Sequence, residues 1–237
     1  RQVLRSEAAG RGAVAPILSV RQAAMAIVRA ELLSEHGWNA GQRAATRALL
    51  LSTDRVTGVQ GYAGTAKTTT VLATFAREAV TRGLKVTALA PTASAAQTLG
   101  DALGLRGDTV ARHLLSNSSD QRGGVWIVDE ASMLSARDMA SLLDRSAKAG
   151  ARVVLVGDVK QLGSVGAGAA FAQLQAAGMS TAKLEDIVRQ TNSATREAVL
   201  ASIEGHARKA LSALDKGGGK IVENADRGER FGERSAR

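Results

Sequence analysis

Between Arg55 and Asp158 the chain alternates short, β-branched apolar runs with longer amphipathic stretches. The runs are "RVTGVQG" (55–61), "GLKVTALAPT" (83–92), "GGVWIVDEA" (123–131) and "ARVVLVGD" (151–158). Their centres are close to continuously apolar, which is the pattern of strands buried on both faces. The stretches between them, "TTTVLATFAREAVTRG", "SAAQTLGDALG" and "SARDMASLLDRSAKAG", have helical length and period, and the first and last close on Gly83 and Gly150 as C-caps. Strands that alternate with helices predict an α/β fold, a parallel sheet with helices on both faces.

The flanks read differently. Ile17 to Leu33 carries Ile17, Val20, Ala24, Ile27, Val28 and Leu32 at helical spacing before the stop "HGWN", which predicts an amphipathic helix packed through that face. A second helix is expected from Gly41 to Leu51. After Asp158 the chain is rich in Gly and Ala; "TAKLEDIVRQ" then predicts a short strand or edge turn, and "SATREAVLASIEGHARKALSAL" a helix. From Lys216 onward a turn, a short strand "KIVE" and a flexible polar tail are expected. The organisation expected is an N-terminal helical segment (1–40), the α/β domain (41–190), a helical segment (191–222) leading towards a second domain, and the tail (223–237).

Composition narrows the function. At 237 residues the chain accommodates one full α/β domain with appendages. Aromatics are only 3% beside 45% hydrophobic residues, so the core is built from Ala, Leu and Val, and few rings are available to stack on bases. A formal charge of +9 favours a polyanionic partner through counterion release. With no cysteine there is no disulfide, thiolate metal site or cysteine nucleophile, and His36, His113 and His206 are too scattered in sequence to predict a histidine metal site. No apolar run approaches the roughly 20 residues that span a bilayer, and a cytoplasmic protein is expected.

The chemistry begins after the first strand, at "GYAGTAKTTT". A phosphate-binding loop needs a glycine-rich turn after a strand, then Lys and Ser/Thr opening a helix, so that backbone N–H groups and the helix N-terminus hold phosphate oxygens. Here the loop runs through Gly61, Tyr62, Ala63, Gly64, Thr65 and Ala66 to Lys67, Thr68 and Thr69. Lys67 would neutralise the β- and γ-phosphates and Thr68 would hold Mg²⁺. Ala66 stands where the last glycine of such a loop is usual, and its Cβ costs about 1–2 kcal/mol wherever a left-handed backbone is required. In "VWIVDEAS" a carboxylate pair, Asp129 and Glu130, ends an apolar strand, where one group can order Mg²⁺ and the other polarise an attacking water. After the next strand Gln161 is spaced to reach a γ-phosphate.

Taken together, these segments resemble the superfamily 1 helicases of the RecD-like, 5′-to-3′ branch, in particular the helicase part of conjugative relaxases of the TraI/TrwC type. The resemblance covers roughly residues 40–223: "AGQRAATRALL" looks like the Q motif, "GYAGTAKTTT" like motif I, "LAPTASAAQTL" like Ia, "IVDEASM" like II, "LVGDVKQLGSVGAG" like III and "LEDIVRQ" like IV. It implies a RecA-like P-loop NTPase fold, with ATP and Mg²⁺ as cofactors. It further implies adenine contact by Gln42, Mg²⁺ ordering by Asp129, water activation by Glu130, γ-phosphate sensing by Gln161 and an arginine finger at Arg189. Pro91 and Thr92 would touch single-stranded DNA.

The sequence departs from this pattern at two places. "DTVARHLLS" separates Thr109 from His113 where many relatives have Thr-Ile-His, so His113 is expected to be a packed or exposed residue rather than a DNA contact. Motifs V and VI belong to a second RecA-like domain, which is expected, with a relaxase domain, elsewhere in the parent chain. Two other functional classes share these residues: a P-loop ATPase of the AAA+ type outside the helicases, and an inactive DNA-binding relaxase fragment.

Overall fold

The computed structural model describes residues 1–34, 37–61, 67–116, 122–157 and 170–184, together with residues 201, 206, 208, 209 and 212. Residues Arg1–Ile187 form one compact unit and Val188–Arg237 another. Of the expected elements, the helix over 193–214 and the strand "KIVE" fall mostly or wholly outside the described residues.

The first unit is built on a six-stranded, wholly parallel sheet: β1 (Val56–Gly61), β2 (Val86–Ala90), β3 (Gly107–Thr109), β4 (Val125–Val128), β5 (Arg152–Gly157) and β6 (Thr181–Leu184). The spatial order is β3-β2-β4-β5-β1-β6. Among the described residues eight α-helices accompany it: α1 (Gln2–Ala8), α2 (Val20–Leu32), α3 (Ala40–Leu51), α4 (Ala73–Thr81), α5 (Ala93–Leu103), α6 (Val110–Leu115), α7 (Ala136–Ala149) and α8 (Ala170–Ala176). A π-helical segment, Lys67–Leu72, opens α4.

The two faces of the sheet follow from side-chain alternation. Val125, Ile127, Val154 and Val156 point into one core with Val71, Leu72, Phe75 and Leu99 under α3, α4 and α5. Trp126, Val128, Val153 and Leu155 point into the other with Met139, Leu142, Phe171 and Leu174 under α7 and α8. Both faces are covered, which is why the strands read as unbroken apolar runs. Gly104 and Gly150 end α5 and α7 in the left-handed conformation, where a Cβ is unfavourable.

The N-terminal helix differs from its expectation. Ser19, in a reciprocal capping box with Gln22, starts α2 at Val20, so Ile17 and Leu18 are buried ahead of it in extended chain. The buried face of α2 is Ala23, Ala26, Ile27 and Ala30, whereas Val20, Val28 and Leu32, assigned to that face from spacing, are exposed, as is Met25. Small residues win the contact because they let α2 approach α3 and α4 closely. Arg29 also reaches across to the buried Glu78 carboxylate of α4, which Arg82 pairs from the other side.

At the N-terminal ends of the strands Arg152 is 5% exposed and donates to the carbonyls of Ser52, Asp54 and Ala15. Burial pulls its pKa down to about 10, which leaves it charged at neutral pH. It clamps the segment before α2 to the α3–β1 turn. This structural cation lies at the end of the sheet opposite the motif residues.

Candidate functional site

All strands of a parallel sheet end on one side, and there the sequence motifs meet. Gly61 closes β1, Gly157 closes β5, Asp129 and Glu130 follow β4, and Pro91 and Thr92 follow β2. β5 lies between β1 and β4, so the loop strand and the carboxylate strand are separated by one strand, about 10 Å at ordinary spacing.

The carboxylate turn is the best-defined part. Asp129 N–H donates to the Leu89 carbonyl at 2.9 Å, extending the β2–β4 ladder past the strand, and the Asp129 Oδ1 accepts from Glu130 N–H at 2.8 Å. Glu130 then adopts φ 51°, ψ 33°, the one positive φ at a non-glycine among the described residues. A left-handed glutamate costs about 1–3 kcal/mol. The turn is held by Met133 N–H donating to the Glu130 carbonyl at 2.8 Å in the 3₁₀ turn Ala131–Met133. Burial raises the Glu130 pKa, and the neighbouring Asp129 charge raises it further. Two half-buried carboxylates therefore stand side by side, and the raised pKa of Glu130 makes it the better proton acceptor.

Gly157, in register with Gln60 of β1, faces this turn. A Cβ at Gly157 would lie 3.2 Å from Ser132 N and 3.2 Å from the Phe171 ring of α8. Its missing side chain is what lets α8 and the carboxylate turn close over the end of β5.

Of the loop residues, Gly61 is buried at the end of β1, and Lys67, Thr68 and Thr69 lie in the π-helical segment, with Thr68 half-buried. Tyr62, Ala63, Gly64, Thr65 and Ala66 lie outside the described residues, as do Gln161 and Arg189. The residues that the structure brings to one edge are thus Gly61, Thr68, Asp129, Glu130, Pro91 and Thr92. The possible ligands Thr68 and Asp129 offer oxygen only, which fits a hard cation such as Mg²⁺. No cluster of three or more His, Cys or acidic residues suited to a metal exists among the described residues.

Gln42 occupies the third position of α3, 1% exposed; its Oε1 accepts from Asn39 N–H at 3.0 Å while Asn39 Oδ1 accepts from Gln42 N–H at 2.8 Å. This is a reciprocal capping box. α3 packs against the π-helical segment and β6. Pro91 is half-buried and Thr92 exposed, with Thr92 Oγ1 accepting from Ala95 N–H at 3.2 Å to cap α5.

His113 is packed: 2% exposed, edge-to-face on Trp126 with centroids 4.5 Å apart. Burial, aided by Arg145, lowers its pKa to about 4, so it is neutral at physiological pH. Sequence reasoning did not single out Gly157 or the left-handed Glu130. No local signal marks either, because both are set by contacts between strands distant in sequence.

A family described as "AAA domain" matches residues 37–225. The multifunctional conjugation protein TraI of Escherichia coli (strain K12) is 34% identical over 227 residues, covering 91% of this chain and 12% of TraI. The ATP-dependent RecD2 DNA helicase of Deinococcus radiodurans is 38% identical over 148 residues, 59% of this chain and 20% of the relative. Among solved structures, that of Pif1 helicase from Candida albicans aligns with a TM-score of 0.42 at 18% identity, over 63% of this chain and 40% of that one. The chain spans only 12% of TraI and 20% of RecD2. No helix among the described residues is long and apolar enough to cross a membrane.

Proposed function

This chain belongs to the AAA domain family, and we propose that it is the ATP-binding motor domain of a conjugative-transfer DNA helicase, hydrolysing ATP with Mg²⁺ in response to single-stranded DNA. The observation that carries the reading is the Asp129–Glu130 turn: two adjacent half-buried carboxylates at the edge where β1 delivers Gly61 and the Lys67–Leu72 segment. Likeness to TraI and RecD2 supports the helicase class over other P-loop ATPases.

In this reading the backbone from Gly61 to Ala66, with Thr69, surrounds the phosphates, Lys67 neutralises the β- and γ-phosphates, and Gln42 contacts adenine. Thr68 and Asp129 hold Mg²⁺, which when bound supplies charge neutralisation on the phosphate oxygens. Glu130 accepts a proton from the water that attacks the γ-phosphorus as the bond to the ADP oxygen breaks, giving ADP and phosphate. Gln161 senses the γ-phosphate and Arg189 stabilises the charge that develops. Pro91 and Thr92 meet the phosphates of single-stranded DNA at the start of α5, where an exposed threonine and a helix N-terminus favour an anion. Unwinding belongs to the parent protein, with a second RecA-like domain and a relaxase domain.

The test is ATP turnover by this chain with and without single-stranded DNA. Stimulation by single strands, and none by a duplex without single-stranded ends, is the expected result. Turnover indifferent to DNA points to a P-loop ATPase outside the helicases. DNA binding without any nucleotide response points to an inactive fragment.

A further inference from the structure

We propose that the hydrogen bond between Gln175 of α8 and Gln60 of β1 is a positioning contact of the nucleotide site, making the two glutamines determinants of γ-phosphate discrimination; this rests on the ATP-binding reading above. Gln175 Nε2 donates to Gln60 Oε1 at 3.0 Å across 115 residues of sequence. Gln60 is the next-to-last residue of β1, immediately before Gly61 and the phosphate loop. Its partner in register on β5 is Gly157, the last residue before the segment that carries Gln161.

The same face of α8 meets both strands. Phe171 and Gln175 are four residues apart and therefore stack on one side of the helix. Phe171, 1% exposed, lies against Gly157, close enough that a Cβ there would come within 3.2 Å of its ring. Leu174, fully buried between them in sequence, anchors this face in the core. α8 also touches the 3₁₀ turn behind Glu130. One short helix thus bears on the ends of β1 and β5 and on the carboxylate turn, the three places from which the proposed phosphate contacts depart.

The Phe171 contact is apolar and tolerates sliding, whereas the amide pair fixes one relative position of α8 and β1. A hydrogen bond at the half-buried edge of a sheet adds little to global stability, and a polar pair at that place is otherwise an unneeded interruption of an apolar strand. Its use is registration: it holds the phosphate-loop strand in step with the helix at the far end of the residue 158–169 segment. Gln60 and Gln175 touch no nucleotide in this account and act through the groups that do.

Removal of either partner gives the test. The intact chain is titrated in Mg²⁺ with ADP and with a non-hydrolysable ATP analogue, and the ratio of the two dissociation constants is compared among variants, with thermal melting alongside. Gln175→Leu is expected to reduce the preference for the analogue about three- to tenfold, the range of one lost hydrogen bond, with ADP affinity and melting temperature unchanged. Gln60→Leu, which removes the other partner, should do the same. Gln60→Leu combined with Gln175→Leu should be no worse than either alone. An unchanged ratio in Gln175→Leu, additive effects in the double variant, or losses that track a fall in melting temperature would overturn the inference while leaving the ATP-binding reading intact. Absence of binding of either nucleotide to the unmodified chain would overturn that reading, and this inference with it.

Discussion

Gly107→Ala is expected to destabilise the fold by more than about 4 kcal/mol, a large share of the 5–15 kcal/mol that holds a domain of this kind together. A Cβ at Gly107 would sit 1.8 Å from the Ala96 carbonyl oxygen and 2.4 Å from its carbon, both backbone atoms of α5 that no rotamer change can move. The approach is reciprocal, since a Cβ at Gly100 would come within 2.6 Å of Gly107 N. α5 and β3 are therefore packed backbone to backbone, and α5 begins at Thr92, on the edge that holds the site. Urea denaturation followed by circular dichroism measures the loss. Gly37→Ala, where a Cβ meets nothing within 4 Å, is the control and should stay within about 0.5 kcal/mol of the parent. A Gly107→Ala chain as stable as that control would show that α5 and β3 do not meet as described.

Glu130→Gln carries the largest expected effect on chemistry. If Glu130 takes the proton from the attacking water, its amide replacement should lower ATP turnover about 10²- to 10⁴-fold while nucleotide affinity is retained, because the amide is nearly isosteric and the phosphate contacts lie on β1 and the segment after it. The pH profile provides an independent readout. The base must be ionised, and burial with the Asp129 charge raises the Glu130 pKa. Turnover should therefore rise with pH through a midpoint above the ordinary glutamate range and fall as pH drops below it. That limb should vanish from the residual rate of the variant. Steady-state ATPase assays across pH decide it; a Glu130→Gln chain that keeps both rate and limb excludes the glutamate as the base.

Much of the architecture was legible because β1, β2, β4 and β5 are buried on both faces and have no polar face to confuse the period. β3 was not: "GDT" carries no apolar signal, and its pairing depends on the glycine contact with α5. α1 and α8 were missed for related reasons, one rich in charge and the other embedded in Gly and Ala, so that docking rather than local pattern makes them helices. Around α2 the packed face was read correctly at Ile17 and Ile27 but not at Val20, Val28 and Leu32, which outweigh alanines on any hydrophobicity scale, whereas close helix packing selects the alanines. At the site, Asp129 and Glu130 could be assigned to a strand end from "VWIVDEAS", but the left-handed backbone of Glu130 could not. The Gln60–Gln175 bond was equally invisible, since neither glutamine belongs to a motif and only the sheet brings them together.

The claim on which the rest depends is that the edge formed by Gly61, Thr68, Asp129 and Glu130 binds ATP as its Mg²⁺ complex. Calorimetric titration of ATP into the chain, with Mg²⁺ and with chelator, and into Lys67→Ala, tests it most directly. The account predicts saturable one-to-one binding that weakens at least about tenfold without Mg²⁺ or without the Lys67 ammonium, the worth of one charge-assisted phosphate contact. Absence of saturable binding, or equal affinity in Lys67→Ala and the parent chain, would contradict it.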